Sequence, residues 1–259
     1  MSDAATVPVW TVPAWSAFRG LRHGFFGREG GVGRGRFASL NCSARVGDDP
    51  SAVAENRRRV ALALGADELH APRQVHGTAV VDLVPGEEPG EADALLTRPG
   101  AGAAGVLTAD CVPLLLVVPE VQLAAAVHAG WKGTALGIAR MAVERLVAQA
   151  GRSALAVHAA LGPSIGGCCY EVGSEVIEAM GDLAAGVERT AEGKGRVDLR
   201  AINAELLRRS GVPAAQIYQV GPCSRCSSER LFSHRGEPGG TGRQISAVVW
   251  NRPRSDLSR

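Results

Sequence analysis

Three apolar segments stand almost end to end in the middle of the chain, Gly105–Thr108, Pro113–Val118 and Leu123–His128. A crossover between parallel strands needs roughly a dozen residues or more, and the gaps here are far shorter, so these strands must run antiparallel. Five further segments have the same β-like character: Ala79–Val84, Ala92–Thr97, Leu155–Leu161, Ile217–Val220 and Ile245–Trp250. Helix signals fall among them. Asp48 or Asp49 can cap a helix that Pro50 opens, Val53, Val60 and Leu64 line, and Gly65 stops. A second helix is expected from about Gly133 to Ala150, burying Leu136, Ala139, Val143 and Leu146 and ending at Gly151. A third begins near Ser174, and a fourth near Leu199, behind a capping Asp198 and before Gly211. Mixed β-sheets flanked by helices, an α+β fold, suit this order better than strict βαβ alternation.

With 259 residues, 46% of them hydrophobic, the chain can bury a substantial core and is not a disordered segment. Basic and acidic residues nearly cancel, 28 against 26, which gives no reason to expect nucleic acid or an anionic membrane as partner. The longest dense apolar run, Val112 to Val118, is far short of the ~20 residues a membrane span needs. Met1 to Trp15 lacks the pattern of a secretory signal, so a cytoplasmic location is expected. In that reducing setting the six cysteines (42, 111, 168, 169, 223 and 226) should be structural, metal-binding or reactive. No linker divides the sequence, so residues 1–251 read as one domain, followed by a polar tail over residues 252–259.

Three segments are poor structural filler: Arg73-Gln-Val-His-Gly77, Thr108-Ala-Asp-Cys-Val-Pro113 and Val127-His-Ala-Gly-Trp-Lys-Gly133. Each sets a metal-capable side chain beside glycine or proline at the end of an apolar strand. A hairpin turning at Pro119-Glu120 would place Cys111 directly opposite His128, with Cβ atoms ~4.5–5.5 Å apart. His76, at a neighbouring strand end, supplies a third ligand. Two histidines and a cysteine leave one coordination position open, the pattern of catalytic rather than structural zinc. Arg57, Lys132, Arg235 and Arg243 are cations available to an anion, and Lys132 stands four residues after His128 near a helix start.

Together with Leu161-Gly-Pro-Ser-Ile-Gly-Gly-Cys-Cys-Tyr-Glu-Val-Gly173, Leu231-Phe-Ser-His-Arg235 and Thr241-Gly-Arg243, these segments resemble the YfiH-type family. That family is also called the laccase-domain, polyphenol oxidase or peptidoglycan-editing-factor family. The likeness extends to His23-Gly-Phe-Phe26, Ser39-Leu-Asn41, Val46-Gly-Asp-Asp-Pro50 and Asn56-Arg57, nearly the whole chain. It implies a four-layer α-β-β-α sandwich and a zinc site, with copper as the alternative metal, at His76, Cys111 and His128. It implies purine nucleoside phosphorylase activity on adenosine, inosine and methylthioadenosine, with adenosine deaminase activity beside it. Cys111, His128 and Lys132 are then the catalytic candidates. Ser39, Asn41, Arg57, Arg235 and Arg243 are the candidates for holding nucleoside or phosphate.

Three other readings stay open. Cys111 and His128 would suit a cysteine hydrolase acting on a cell-wall precursor. A non-catalytic metal-holding factor in peptidoglycan editing is the second. Copper polyphenol oxidase is the third, although six histidines are too few for a full laccase array. Gly162-Pro-Ser-Ile-Gly166 matches a nucleophile elbow, with Asp182 or Asp198 and His234 following in hydrolase order, but Gly166-Gly-Cys-Cys stands where a helix should open. Cys168 and Cys169 are expected to pack or shape a pocket. Cys223-Ser-Arg-Cys226 has zinc-knuckle spacing without a second pair, which argues against a structural zinc ribbon. Gly30 to Gly35 read as a flexible loop.

Overall fold

The computed structural model describes residues 7–190 and 193–251; the polar tail expected over residues 252–259 lies outside them. In chain order the first elements are β1 (Val9–Trp10), β2 (Leu21–Phe26), α1 (Pro50–Leu64), β3 (Leu69–His70), β4 (Val80–Asp82) and β5 (Ala94–Thr97). Next come β6 (Ala103–Thr108), β7 (Val112–Val118), β8 (Leu123–Ala129), α2 (Trp131–Ala135), α3 (Ile138–Ala150) and β9 (His158–Leu161). The remainder forms β10 (Glu171–Val172), α4 (Ser174–Met180), β11 (Glu188–Arg189), β12 (Gly195–Arg196), α5 (Leu199–Arg209), β13 (Ile217–Gln219) and β14 (Gln244–Trp250).

Two mixed sheets carry the fold. One has the order β1-β2-β14-β6-β3 and the other β13-β9-β7-β8-β5-β4; β10-β12-β11 form a small third sheet. Parallel pairs occur at β3–β6, β4–β5 and β9–β13, while the central pairings are antiparallel. Every residue of β7, β8 and β14 is buried, because each strand has a layer on both of its faces. In β7, Leu114, Leu116 and Val118 pack towards α3 and α5, whereas Leu115 and Val117 pack towards the opposite sheet. In β14, Val248 and Trp250 enter the space between the sheets, and Ile245, Ala247 and Val249 meet Val60 and Leu64 of α1. The layers are therefore α1, sheet, sheet, and α3 with α5: an α-β-β-α sandwich. Each of these buried leucines and valines contributes about 1.5–3 kcal/mol relative to exposure.

The helix ends follow the sequence signals. The Asp49 carboxylate accepts from the Ser51 amide at 2.7 Å, and Gly65 closes α1 with φ 64°. Asp198 accepts from the amides of Arg200 and Ala201 at the start of α5. The single helix expected from Gly133 to Ala150 is instead two, because Gly137 takes φ 82° and resets the helical phase. Leu136 therefore leaves the buried face and is 62% exposed, while Ala139, Val143 and Leu146 stay buried as expected. The β7–β8 register also differs. Val118 pairs with Leu123 across a four-residue loop in which Gln122 has φ 52°, so Pro113, not Cys111, stands opposite His128. The shift is two residues, which keeps every side chain on its expected face. β2 went unread because Arg22 and His23 interrupt its apolar pattern, and the expected strand from Leu155 starts only at His158. Among the described residues no helix is long and apolar enough to cross a membrane.

Candidate active site

The hairpin ends and the turn before β4 converge. Cys111 immediately precedes β7, and His128, at the far end of β8, is its diagonal neighbour, close enough for long side chains to meet. His76 comes from a turn in which it holds φ 60°. That left-handed conformation is unfavourable for most side chains and needs outside support. Asp93, fully buried just before β5, supplies it: its carboxylate accepts from the amides of Val75 (3.2 Å), His76 (3.0 Å) and Gly77 (2.7 Å). The same carboxylate holds His128 Nδ1 at 2.8 Å, which leaves Nε2 as the free ring nitrogen.

The result is a compact donor set. One ligand atom from each of His76, Cys111 and His128 lies within 4.8 Å of the others. The two imidazoles meet edge to face, with centroids 4.8 Å apart. Gly130 makes the approach possible, since a Cβ there would stand 3.0 Å from His76 Cδ2 and 3.2 Å from Cys111 Sγ. Burial alone would raise the Cys111 thiol, but the charge of His128 and hydrogen bonds from both histidines outweigh it and bring it down to about 6. Burial disfavours the His128 imidazolium, yet Cys111 and Asp93 outweigh that and push it up to about 9. A ready thiolate, an imidazole with a carboxylate behind it and a second imidazole fit a borderline-soft divalent ion with one position left open. His76 is exposed and His128 buried, so the cluster opens to solvent on the His76 side.

Asp110 builds the neighbouring wall. Its carboxylate accepts from Ser224 Oγ (2.6 Å), Ser233 Oγ (2.8 Å) and the Arg235 amide (2.7 Å), tying the long loop before β14 to the residue preceding Cys111. A cavity of about 340 Å³ lies beside these residues, lined by Trp131, Tyr170, Glu175, Lys194 and Arg235 among others. The Arg235 guanidinium stacks over the Tyr170 ring at 5.2 Å. A larger cavity of about 470 Å³ lies against α1. It holds Arg57 and Arg58 but none of the convergent donors, so the smaller one is the candidate substrate pocket.

The profile of the family described as "Multi-copper polyphenol oxidoreductase laccase" matches residues 22–251. The chain belongs to this family. Among relatives in this laccase-like family, a protein of Deinococcus radiodurans named purine nucleoside phosphorylase is 42% identical over 234 residues, covering 87% of this chain and 88% of its own. An adenosine deaminase from an unknown prokaryotic organism is 38% identical over 235 residues, covering 83% and 88%. Of solved structures, the hypothetical protein YfiH of Bacillus licheniformis superposes with a TM-score of 0.87 at 31% identity, over 94% of this chain and 96% of that one. YlmD from Geobacillus stearothermophilus gives a TM-score of 0.85 at 32% identity, over 91% and 93%.

Within this fold the other site candidates fall in three places. Arg235 lines the smaller cavity, and half-buried Arg243 feels the charges of Cys111 and Asp110, although burial lowers its own pKa. Lys132 is exposed on α2 with Nζ 5.5 Å from the Trp131 ring, one residue beyond the cavity lining. Ser39 and Asn41 are engaged with backbone: Ser39 Oγ accepts from Gly31 and donates to the Arg28 carbonyl, while Asn41 Oδ1 accepts from the amides of Ser43 and Arg243. Asn41 Nδ2 also donates to Asp48, so this side chain positions the Arg243 backbone. Arg57 lies apart, on the larger cavity.

Asp93 and the carboxylate role of Asp110 were missed in the sequence. The available signal was a carboxylate heading the apolar run from Ala92 to Thr97, where an unpaired charge would be untenable. The apparent nucleophile elbow is not one: Ser164 is fully buried, and its backbone bridges to Cys223. Cys223-Ser-Arg-Cys226, expected to stand alone, meets Cys168 and Cys169 instead.

Proposed function

We propose that this chain is a zinc-dependent purine nucleoside phosphorylase of the cytoplasm, converting adenosine, inosine or methylthioadenosine and phosphate to free base and ribose 1-phosphate, with adenosine deaminase activity at the same site. The observation that carries this reading is the convergence of His76, Cys111 and His128 beside a pocket lined by two aromatic residues, one arginine and one lysine. Relatives bearing both activity names support it. A zinc ion held by the three ligands would supply Lewis acidity and lower the pKa of water towards ~7.

The chain's own residues do the rest. Trp131 offers a flat face for a purine, while Tyr170 lies buried under the Arg235 guanidinium, and burial pushes its phenol up to about 12. Arg235, Arg243 and Lys132 are the cations for phosphate, with arginine suited to bidentate contact. In phosphorolysis a phosphate oxygen bonds to C1′ as the glycosidic C–N bond breaks, and the base leaves with a proton. In deamination water replaces the exocyclic amine, which leaves as ammonia. Asp93 acts throughout by holding His76 and His128 in place.

Copper oxidase chemistry is less well served. His23 accepts from the Val12 amide, His70 contacts Glu68, His158 packs on Phe18, and none of these reaches the cluster. One geometry favours a second reading: a Cys111 thiolate beside a His128 that Asp93 orients is also the arrangement of a cysteine hydrolase. Incubation with adenosine and phosphate decides between them. Ribose 1-phosphate with adenine, dependent on bound zinc, supports the phosphorylase; turnover of a cell-wall precursor by metal-free protein, with no nucleoside cleavage, supports the hydrolase.

A further inference from the structure

Four cysteines outside the His76–Cys111–His128 cluster meet in space. Cys168 and Cys169 follow β9, while Cys223 and Cys226 lie in the loop after β13. The Cys169 and Cys226 sulfurs are 3.3 Å apart, and Cys168 Sγ lies 3.7 Å from each of them. All four sulfurs fall within 4.8 Å of one another, and none is disulfide-bonded. Tetrahedral zinc with Zn–S bonds of ~2.3 Å spaces its sulfurs about 3.8 Å apart, so the cluster has the dimensions of a tetrathiolate.

We propose that Cys168, Cys169, Cys223 and Cys226 form a closed structural zinc site that clips the 162–170 loop to the 221–235 loop. The surrounding backbone is shaped for sulfur. The Gly166 amide donates to Cys223 Sγ at 3.2 Å, and a Cβ on Gly166 would stand 3.3 Å from Cys168 Sγ. The Ser224 amide donates to the Ser164 carbonyl at 3.0 Å, locking the two loops in register. Exposed Cys168 and Cys226 give a metal ion an entry path. Four protein ligands leave no open position, so the role is structural.

The clip bears on the candidate active site without belonging to it. Ile165 donates its amide to the Asp110 carbonyl at 2.9 Å, and Ser224 Oγ reaches the Asp110 carboxylate at 2.6 Å. Both clipped loops therefore hold the residue that precedes Cys111.

Metal analysis and cobalt substitution of the purified full chain test this. Cys226→Ser and the pair Cys168→Ser/Cys226→Ser should each bind one zinc fewer per chain than wild type. Cys111→Ala should lose a different ion, and the combined variants both. In cobalt-loaded protein the intense near-ultraviolet thiolate-to-cobalt band should persist in Cys111→Ala and collapse in Cys226→Ser, a readout independent of nucleoside turnover. Wild-type metal content in Cys226→Ser overturns the proposal. So does a cobalt band that depends on Cys111 alone, or two missing thiols in chelated, denatured wild type, which would mark a disulfide.

Discussion

Replacing Asp93 by asparagine probes the hub of the candidate site. The two carboxylate oxygens divide four donors between them: His76 N and His128 Nδ1 on Oδ1, Val75 N and Gly77 N on Oδ2. Asparagine keeps one acceptor oxygen, so whichever way its amide turns, two donors lose their partner and face an NH₂ group. Hydrogen bonds to a charged group are worth about 1.5–3 kcal/mol each, and breaking a buried ion pair costs ~3–5 kcal/mol. A loss of about 3–5 kcal/mol is expected for Asp93→Asn, which for a chain of this size lowers Tm by roughly 6–20 °C. Zinc affinity should fall a further ~10–100-fold, the usual effect of removing a carboxylate behind a ligating histidine. Calorimetric melts with and without zinc separate the two effects, because the structural loss appears in both and the loss of affinity only in their difference. A chelator competition then gives the zinc Kd directly. An Asp93→Asn protein melting within about 2 °C of wild type with a zinc Kd within about twofold would refute the assignment.

Four shorter predictions follow from the same geometry. Cys111→Ala should lose the ion bound at His76 and His128 and lower nucleoside turnover at least ~100-fold while staying folded, as checked by elemental analysis and circular dichroism. Gly130→Ala is backbone-compatible, with φ −75°, but its methyl meets His76 and Cys111, so weaker metal binding and a cost of about 1–3 kcal/mol are expected in chelator titrations and melts. Lys132→Ala should leave zinc content and Tm nearly unchanged and raise the phosphate KM by about tenfold, with inosine formation from adenosine hurt less than adenine formation. Because His128 is pushed up to about 9 and Cys111 down to about 6, the pair holds one proton between those values, which metal must displace. Zinc affinity should therefore rise about tenfold per pH unit across that window and level off above it, with about one proton released at neutral pH. Calorimetry in buffers of different ionisation enthalpy measures the release directly.

Much of the site was legible because its ligands sit at strand ends marked by glycine and proline, where an apolar pattern gives way to a single His or Cys. Face parity survived a wrong register, since the Pro119–Gln122 loop adds two residues and the side-chain period is two. A carboxylate in the apolar run at Asp93 could signal a buried partner but not which one, because its role depends on a turn seventeen residues earlier and a strand thirty-five residues later. The four-cysteine cluster was hidden for the same reason: Cys168–Cys169 and Cys223–Cys226 are separate fragments until β13 pairs with β9. The break at Gly137 was missed because an isolated glycine inside a helical apolar pattern is often simply tolerated.

The position of β14 has a consequence for how the molecule is made. Its residues, Gln244–Trp250, form the last strand among the described residues but lie in the middle of their sheet, between β2 and β6. During synthesis β2 and β6 must wait, each with an unpaired edge, until that strand has left the ribosome. The β7–β8 hairpin can close early, so the half of the sandwich with the helices α3 and α5 matures first. The opposite half assembles only by late insertion, and any nascent chain stalled before Gln244 displays two open strand edges at once, a ready target for holdase chaperones and for self-association.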